Sequence, residues 1–391
     1  MLGLVTLRRL FCYYKTAIPA FFPDEKCQQN FVMETMIFSN KFLKPLLFVT
    51  SQVFKIFVLL RLLAYKNGWL KTNRVNTPVI SVGNLTIGGT GKTPVVDLLA
   101  KDLQRLKKQP VILSRGYKRK NKSSQQRLLF CEDSKIDPAF FGDEPYLLAQ
   151  RNQEVPVYVG GSRFITANLA EKQDHPDVLL LDDAYQHLAI HRDLNLLLID
   201  AEQGLGNLHL FPFGLLREPV KQWKRADAVI ITKTNLATSD LVLRMLKHEL
   251  QVSCPIFNFN YEIQRITRLD GKAHLNLNEI SNKRLLITSG IAQPKGFERL
   301  IEQQGIESIS KITFPDHHDF RREDVRKILE EQKKLRPDYL LTTEKDAVKL
   351  RNFAELDEKI WVIEMEMIPD KLWNDFFSEF LRDTFETPKN K

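Results

Sequence analysis

A chain of 391 residues with 43% hydrophobic content can bury a large core, and its length fits two domains. Four widely spaced cysteines (Cys12, Cys27, Cys131 and Cys254), with no CxxC pair, fit a reducing compartment and offer no zinc site. The formal net charge of +9 suits an anionic membrane surface or a phosphorylated substrate; with no basic stripe of interleaved aromatics, nucleic acid is not the expected partner.

Residues 1–40 read as an extension without periodicity or motif, and Met33 or Met36 are alternative starts. Met1–Tyr14 carries arginines inside its apolar stretch and has no small-residue cleavage site, which argues against a secretory signal. Within a 41–72 region, Leu46–Tyr65 is mostly apolar but contains Ser51, Gln52, Lys55 and Arg61. Burying Lys55 and Arg61 near a bilayer centre would cost about 2.5–3.5 kcal/mol each. The stretch therefore predicts a helix lying in the membrane interface, with Ser51, Gln52 and Lys55 on one face and lysines at both ends. A buried core helix and a single span are the other two readings of the same residues.

Pro78–Val96 predicts a buried strand (Val79, Ile80, Val82), a glycine-dense turn, and a helix opened by Gly91-Lys92-Thr93. That is the context of a phosphate-binding loop. The backbone of Thr86, Ile87, Gly88, Gly89, Thr90 and Gly91 would wrap a polyphosphate at a helix N-terminus. Lys92 would reach the β- and γ-phosphates and Thr93 would hold Mg²⁺; Thr86 stands where the strict pattern has glycine. Pro110–Ser114 then reads as a strand, followed by the basic loop Ser114–Lys122. Val155–Val159, Val178–Leu181, Leu194–Ile199 and Ala228–Thr232 read as further strands, with helical stretches between most of them. Alternation of this kind predicts a parallel sheet with both faces covered.

Val178–Leu181 ends in Asp182-Asp183, the form of a Walker B element whose acids would bind Mg²⁺ beside the loop. Asp143 and Glu144 of Gly142–Pro145 sit at an expected helix start, where Asp143 could also be a simple N-cap. Phe314–His318 follows a strand in the second half, and a surface loop is its plainer reading. Together these segments predict a cleft with a carboxylate from one side and a histidine from the other. Asn235 occupies the place of the guanine-reading aspartate of many GTPases, which leans toward adenine. Thr342–Ala347 reads equally as a helix N-cap with first-turn acids or as a functional cluster. Alternation around Asp270-Gly271 predicts a β-hairpin linker over 255–281, and an amphipathic helix, Leu372–Phe385, ends the chain. The expected fold is α/β: two Rossmann-like, P-loop-type lobes, 73–254 and 282–391, joined by that hairpin and preceded by the membrane-associated helix.

The segments SVGNLTIGGTGKTP, SRGY, GDEP, DDAYQH, FPFGLLREP, FPDHH and TTEKDAVKL, in this order, resemble the tetraacyldisaccharide 4'-kinases, the lipid A 4'-kinases. The resemblance runs from about Phe42 to the C-terminus. It implies ATP- and Mg²⁺-dependent phosphorylation of the 4'-hydroxyl of an acylated glucosamine disaccharide 1-phosphate. It places that reaction on the cytoplasmic face of the inner membrane, in a monotopic, monomeric protein. By motif match, Asp143 is the general base and His317 its partner, while Lys92 and Thr93 serve the phosphates and Mg²⁺. Asp182 and Asp183 are the metal-side acids, with Glu144 beside them. Ala184 and Tyr185 replace the family's usual glycine and phenylalanine, and Phe213 and Leu215 stand where smaller residues or proline are common. The competing class is a P-loop ATPase switch or metallochaperone that dimerises on nucleotide. Ile87 stands where that class commonly carries lysine, and the class gives the interfacial helix no purpose.

Overall fold

In a computed structural model the described residues are 43–117, 119, 125–130, 138–306 and 308–386. The extension expected over residues 1–40 lies outside them, as does most of the basic run after Tyr117. The first half supplies β1 (Val79–Asn84), β2 (Pro110–Ser114), β3 (Gln126–Leu128), β4 (Val157–Val159), β5 (Val178–Leu181), β6 (Leu194–Asp200) and β7 (Ala228–Thr232). Then come β8 (Ile256–Arg268), β9 (His274–Leu275), β10 (Leu285–Ser289), β11 (Ser308–Thr313), β12 (Tyr339–Thr343) and β13 (Ile360–Pro369). The longer helices are α1 (Leu43–Lys66), α2 (Lys92–Arg105), α3 (Asp143–Arg151), α4 (Arg163–Gln173), α5 (Pro294–Glu302), α6 (Arg322–Leu335), α7 (Glu344–Leu350) and α8 (Lys371–Glu386).

The central strands β1, β2, β5, β6 and β7 are buried along their whole length and pair in parallel. Their Val/Ile/Leu-rich sequences fit that environment, because helices cover both faces. The fold is thus a mixed α/β sheet, as expected, with one apolar N-terminal helix. Where the sequence predicts two sheets, however, the described strands form one sheet in the order β11-β10-β12-β13-β8-β7-β6-β1-β5-β2-β4-β3, with β9 on β8. The cause is β8, which is 13 residues long. Its first residues pair in parallel with β7, and from Phe259 onward it runs antiparallel to β13. The hairpin expected around Asp270-Gly271 is present as β8–β9, where Gly271 takes φ +74°, but it holds only two residue pairs. The join between halves is therefore β8 against β13, a pairing between segments too far apart for local patterning to reveal. Packing also crosses the expected boundary at 282. Trp373, Phe377 and Leu381 of α8 pack into a core cluster with Ile80, Val95 and Leu99 of the first half.

From Val49 onward the chain forms one compact unit. On that stretch of α1, Ser51 Oγ donates to the Leu210 carbonyl (2.8 Å), and Phe54 and Val58 pack against the cluster around Leu85, Tyr185 and Trp223. Ser51 therefore lies on the docked side of the helix, not on a solvated face. Ile56, Phe57 and Leu60 remain more than half exposed (56%, 57% and 55%).

Candidate active site

The glycine loop follows β1 and ends at Gly91, which caps α2 with φ +78°. A Cβ there would meet Met367 Cε at 2.4 Å, so both conformation and space require glycine. Three contacts fix the loop from outside. Ile87 N–H donates to the Leu215 carbonyl (2.8 Å), Thr232 Oγ1 to the Thr90 carbonyl (3.0 Å) and Lys233 Nζ to the Gly89 carbonyl (2.8 Å). Lys92 points back along the loop, with Nζ 3.3 Å from Asn84 Oδ1 and 3.6 Å from Asp183 Oδ1.

Asp182 is 2% exposed at the end of β5. Burial, reinforced by the charges of Glu144 and Asp183, pushes its pKa up to about 7. Its Oδ2 accepts from Ser114 Oγ at 3.4 Å, but the buried Oδ1 has no hydrogen-bond partner. Asp183, at φ +48°, faces Arg217 (3.0 Å) as well as Lys92. Burial pushes its carboxyl up, and those two cations hold it below the ordinary range. An orphaned carboxylate oxygen beside a phosphate loop suits a hard cation. Among the described residues no three or more His, Cys, Asp or Glu side chains converge as a closed cage. Mg²⁺ asks for no such cage, since it keeps waters and binds one or two carboxylates plus phosphate oxygens.

Asp143 opens α3 after Gly142, whose φ of +97° turns the chain into the helix. Its Oδ2 lies 3.1 Å from His317 Nδ1 and 2.6 Å from Lys349 Nζ. The other imidazole nitrogen, Nε2, is 3.1 Å from Lys345 Nζ. An ammonium can only donate, so Nε2 accepts and Nδ1 carries the proton it gives to Asp143. Burial pushes the Asp143 carboxyl up, while hydrogen bonds from His317 and Lys349 bring it below its usual value. Glu144 lies 3.8 Å from Lys345 and 3.9 Å from His317 Nε2. His317 itself sits at φ +57°, held by its N–H to the Gly290 carbonyl.

The opposite end of α3 is fixed as well. Arg151 is bidentate to Glu344 of α7 (2.8 and 2.9 Å), pairs with Asp97 of α2 (2.7 Å) and donates to the Met365 carbonyl. Thus α3 lies along α7 with Asp143 against Lys349 at one end and Arg151 against Glu344 at the other. Asp143, Glu144 and His317 meet as the sequence predicts, and Lys92, Asp182 and Asp183 cluster together. Asn235 does not face a base: its amide donates to the Tyr261 carbonyl and accepts from the Tyr261 N–H, both at 2.9 Å. Sequence reasoning missed Asp200 and Lys233. They pair at 2.6 Å, and Lys233 Nζ also donates to Gln293 of the second half. A buried strand ending in acid, the signal that singled out Asp182, would also have found Asp200.

Phosphate-loop glycines, a cation reaching back over them and an acid with a free oxygen at the adjoining strand end define a P-loop nucleotide-binding protein. Which one follows from comparison with known proteins. The sequence model of the tetraacyldisaccharide-1-P 4'-kinases matches residues 43–384, and the chain belongs to this family. It is 37% identical to the tetraacyldisaccharide 4'-kinase of Bdellovibrio bacteriovorus, over 83% of this chain and 94% of the relative. It is 36% identical to that of Geobacter metallireducens, over 80% of this chain and 90% of the relative. Among solved structures it resembles the "apo" form LpxK from Aquifex aeolicus in complex with ATP. There the TM-score is 0.69 at 30% identity, covering 86% of this chain and 97% of that one.

Proposed function

We propose that this protein transfers the γ-phosphoryl group of ATP to the 4'-hydroxyl of an acylated glucosamine disaccharide 1-phosphate, a step of lipid A biosynthesis. The observation that carries the site assignment is the 3.1 Å contact of Asp143 with His317, 174 residues apart in sequence. It supports a carboxylate with an orienting imidazole as the proton-accepting pair. Asp143 accepts the hydroxyl proton as the new P–O bond forms and ADP leaves. His317, donating through Nδ1, holds the carboxylate in position rather than taking the proton itself. A pKa below the ordinary range keeps Asp143 ionised at neutral pH, and the hydroxyl becomes acidic only as phosphorus is bonded. Lys92 neutralises charge on the β- and γ-phosphates, and the backbone from Thr86 to Gly91 wraps them. Thr93, Asp182, Asp183 and Glu144 are the residues that would hold Mg²⁺, which supplies charge neutralisation on the phosphate oxygens.

In this reading the two halves work as P-loop-type lobes, 73–254 and 282–391, with residues 255–281 as the linker, and they close around the substrate. The protein acts as a monomer on the cytoplasmic face of the inner membrane. There it lies monotopically on α1, whose exposed Ile56, Phe57 and Leu60 support that placement. The test is transfer of γ-³²P from ATP to a lipid A disaccharide precursor beside matched soluble sugars. Label in the lipid alone is the expected result. Hydrolysis of ATP without transfer to any acceptor would instead support a nucleotide switch.

A further inference from the structure

The sheet has a second feature at its amino edge, away from the phosphate loop. A cavity of about 680 Å³ lies under the end of α1, lined by Leu59, Leu62, Leu63 and Lys66 and, from the strand starts, by Arg192 and Arg225. Arg225 has a carboxylate partner in Glu218, which also faces Arg61 at 3.8 Å. Arg192 has none. Its Nη1 donates to the Tyr185 carbonyl (3.0 Å) and reaches Asn195 Oδ1 at 3.5 Å, and among the described residues no carboxylate lies within ion-pair distance. Glu218 and Asp227, which also lines the cavity, act on Arg192 only at longer range; Asp227 accepts from the Asn195 N–H at 2.7 Å, and Asp193 from the Val79 N–H at 2.8 Å while facing His191 at 3.8 Å. Burial, reinforced by Arg225, lowers the Arg192 pKa to about 10. Buried charges in proteins are ordinarily paired, and a guanidinium presents a fork matched to phosphate oxygens.

We propose that this cavity binds the phosphodiester headgroup of an anionic membrane phospholipid, with Arg192 and Lys66 on the phosphate and the acyl chains along Leu59, Leu62 and Leu63. Charge complementarity selects the headgroup. Continuity with the exposed apolar side of α1, where Leu59 and Leu63 are each 44% exposed, selects a lipid over a soluble anion. The site is separate from the transfer site: β6 runs from Leu194 at the cavity to Asp200 beside the loop, about 20 Å at roughly 3.3 Å per residue. The proposal rests on the membrane reading of α1, and its test separates the two.

The full-length protein is floated with vesicles of phosphatidylcholine alone and with added phosphatidylglycerol. Binding to the neutral vesicles tests α1; the gain on adding phosphatidylglycerol tests the cavity. Arg192→Gln and Lys66→Gln should each cut that gain by more than the about fivefold that a single basic residue near an anionic surface contributes diffusely, while leaving neutral binding unchanged. Lys66 is exposed, so its variant cannot fail through the core. Turnover on detergent-dispersed substrate should stay at the wild-type value in both. Lys55→Gln, an exposed lysine of α1 outside the cavity, controls for diffuse attraction, which salt screens. The proposal is overturned if both variants keep the full gain, or if Lys55→Gln loses as much as they do. It is equally overturned if inorganic phosphate abolishes the gain, or if the disaccharide substrate displaces phosphatidylglycerol.

Discussion

Replacing Asp182 with Asn should make the ligand-free protein more stable while removing its activity. The folded carboxyl titrates near 7 against 3.8 for the unfolded chain, a difference of about 3 units. At 1.36 kcal/mol per unit that corresponds to about 4 kcal/mol. The sign follows from linkage: a raised folded pKa favours folding fully below the unfolded value, and the contribution is lost as pH rises through about 7. At pH 8 the native protein holds a buried, ionised Asp182 at full cost, which the neutral amide of the variant would not bear. Urea unfolding without nucleotide or Mg²⁺ should therefore show the variant more stable by up to about 4 kcal/mol at pH 8. The gap should shrink below about 2 kcal/mol at pH 5, where the native carboxyl is mostly protonated. Mg²⁺ with ATP should stabilise the wild type and not the variant. An Asn variant no more stable than wild type at pH 8, or a gap that ignores pH, would refute the reasoning.

Asp143→Asn should lower kcat by about 10²–10⁴ with ATP affinity near normal. Combined with His317→Ala its loss should be less than the product of the single losses, and multiplicative losses would argue against a coupled pair. Lys92→Ala should reduce kcat at least ~10²-fold in the transfer assay, and wild-type turnover would remove it from the phosphate site. Arg151→Met leaves Glu344 without its cation and Asp97 with Lys101 alone, and should cost roughly 3–5 kcal/mol in urea unfolding, part of which Glu344→Gln in the same chain should restore. Phe57→Ser with Leu60→Ser should loosen membrane attachment and raise KM for lipid but not for ATP. A cysteine near Ile37 labelled from the periplasm would reveal a span and overturn the monotopic placement.

Local pattern carried most of the central sheet. Val79–Val82, Val178–Leu181 and Ala228–Thr232 are predominantly apolar runs, and such runs become strands buried on both faces wherever helices alternate with them. Asp143 and His317 were legible as chemistry because each sits beside a turn that aims it, although only their shared motif context suggested that they meet. What escaped was long-range. Nothing near β8 announces that it will pair with β13 some hundred residues later, and Arg151 and Glu344 look like ordinary helix-end charges until α3 and α7 lie together. Asn235 misled because a motif position was read without its neighbours, and the Tyr261 backbone claims both ends of its amide.

The return of α8 to the first half bears on how the protein is synthesised. Trp373, Phe377 and Leu381 complete the core beneath the phosphate loop's own strand and helix, yet they leave the ribosome long after Ile80, Val95 and Leu99. The first half emerges and waits, with an apolar face uncovered, until α8 has been made. A chain cut short before Lys371 would keep every residue proposed for phosphate binding and proton transfer and still lack the side chains that close the core under β1 and α2. Nascent chains of this protein should therefore lean on chaperones until α8 emerges, and an insertion or fusion should be tolerated beyond α8 but not within it.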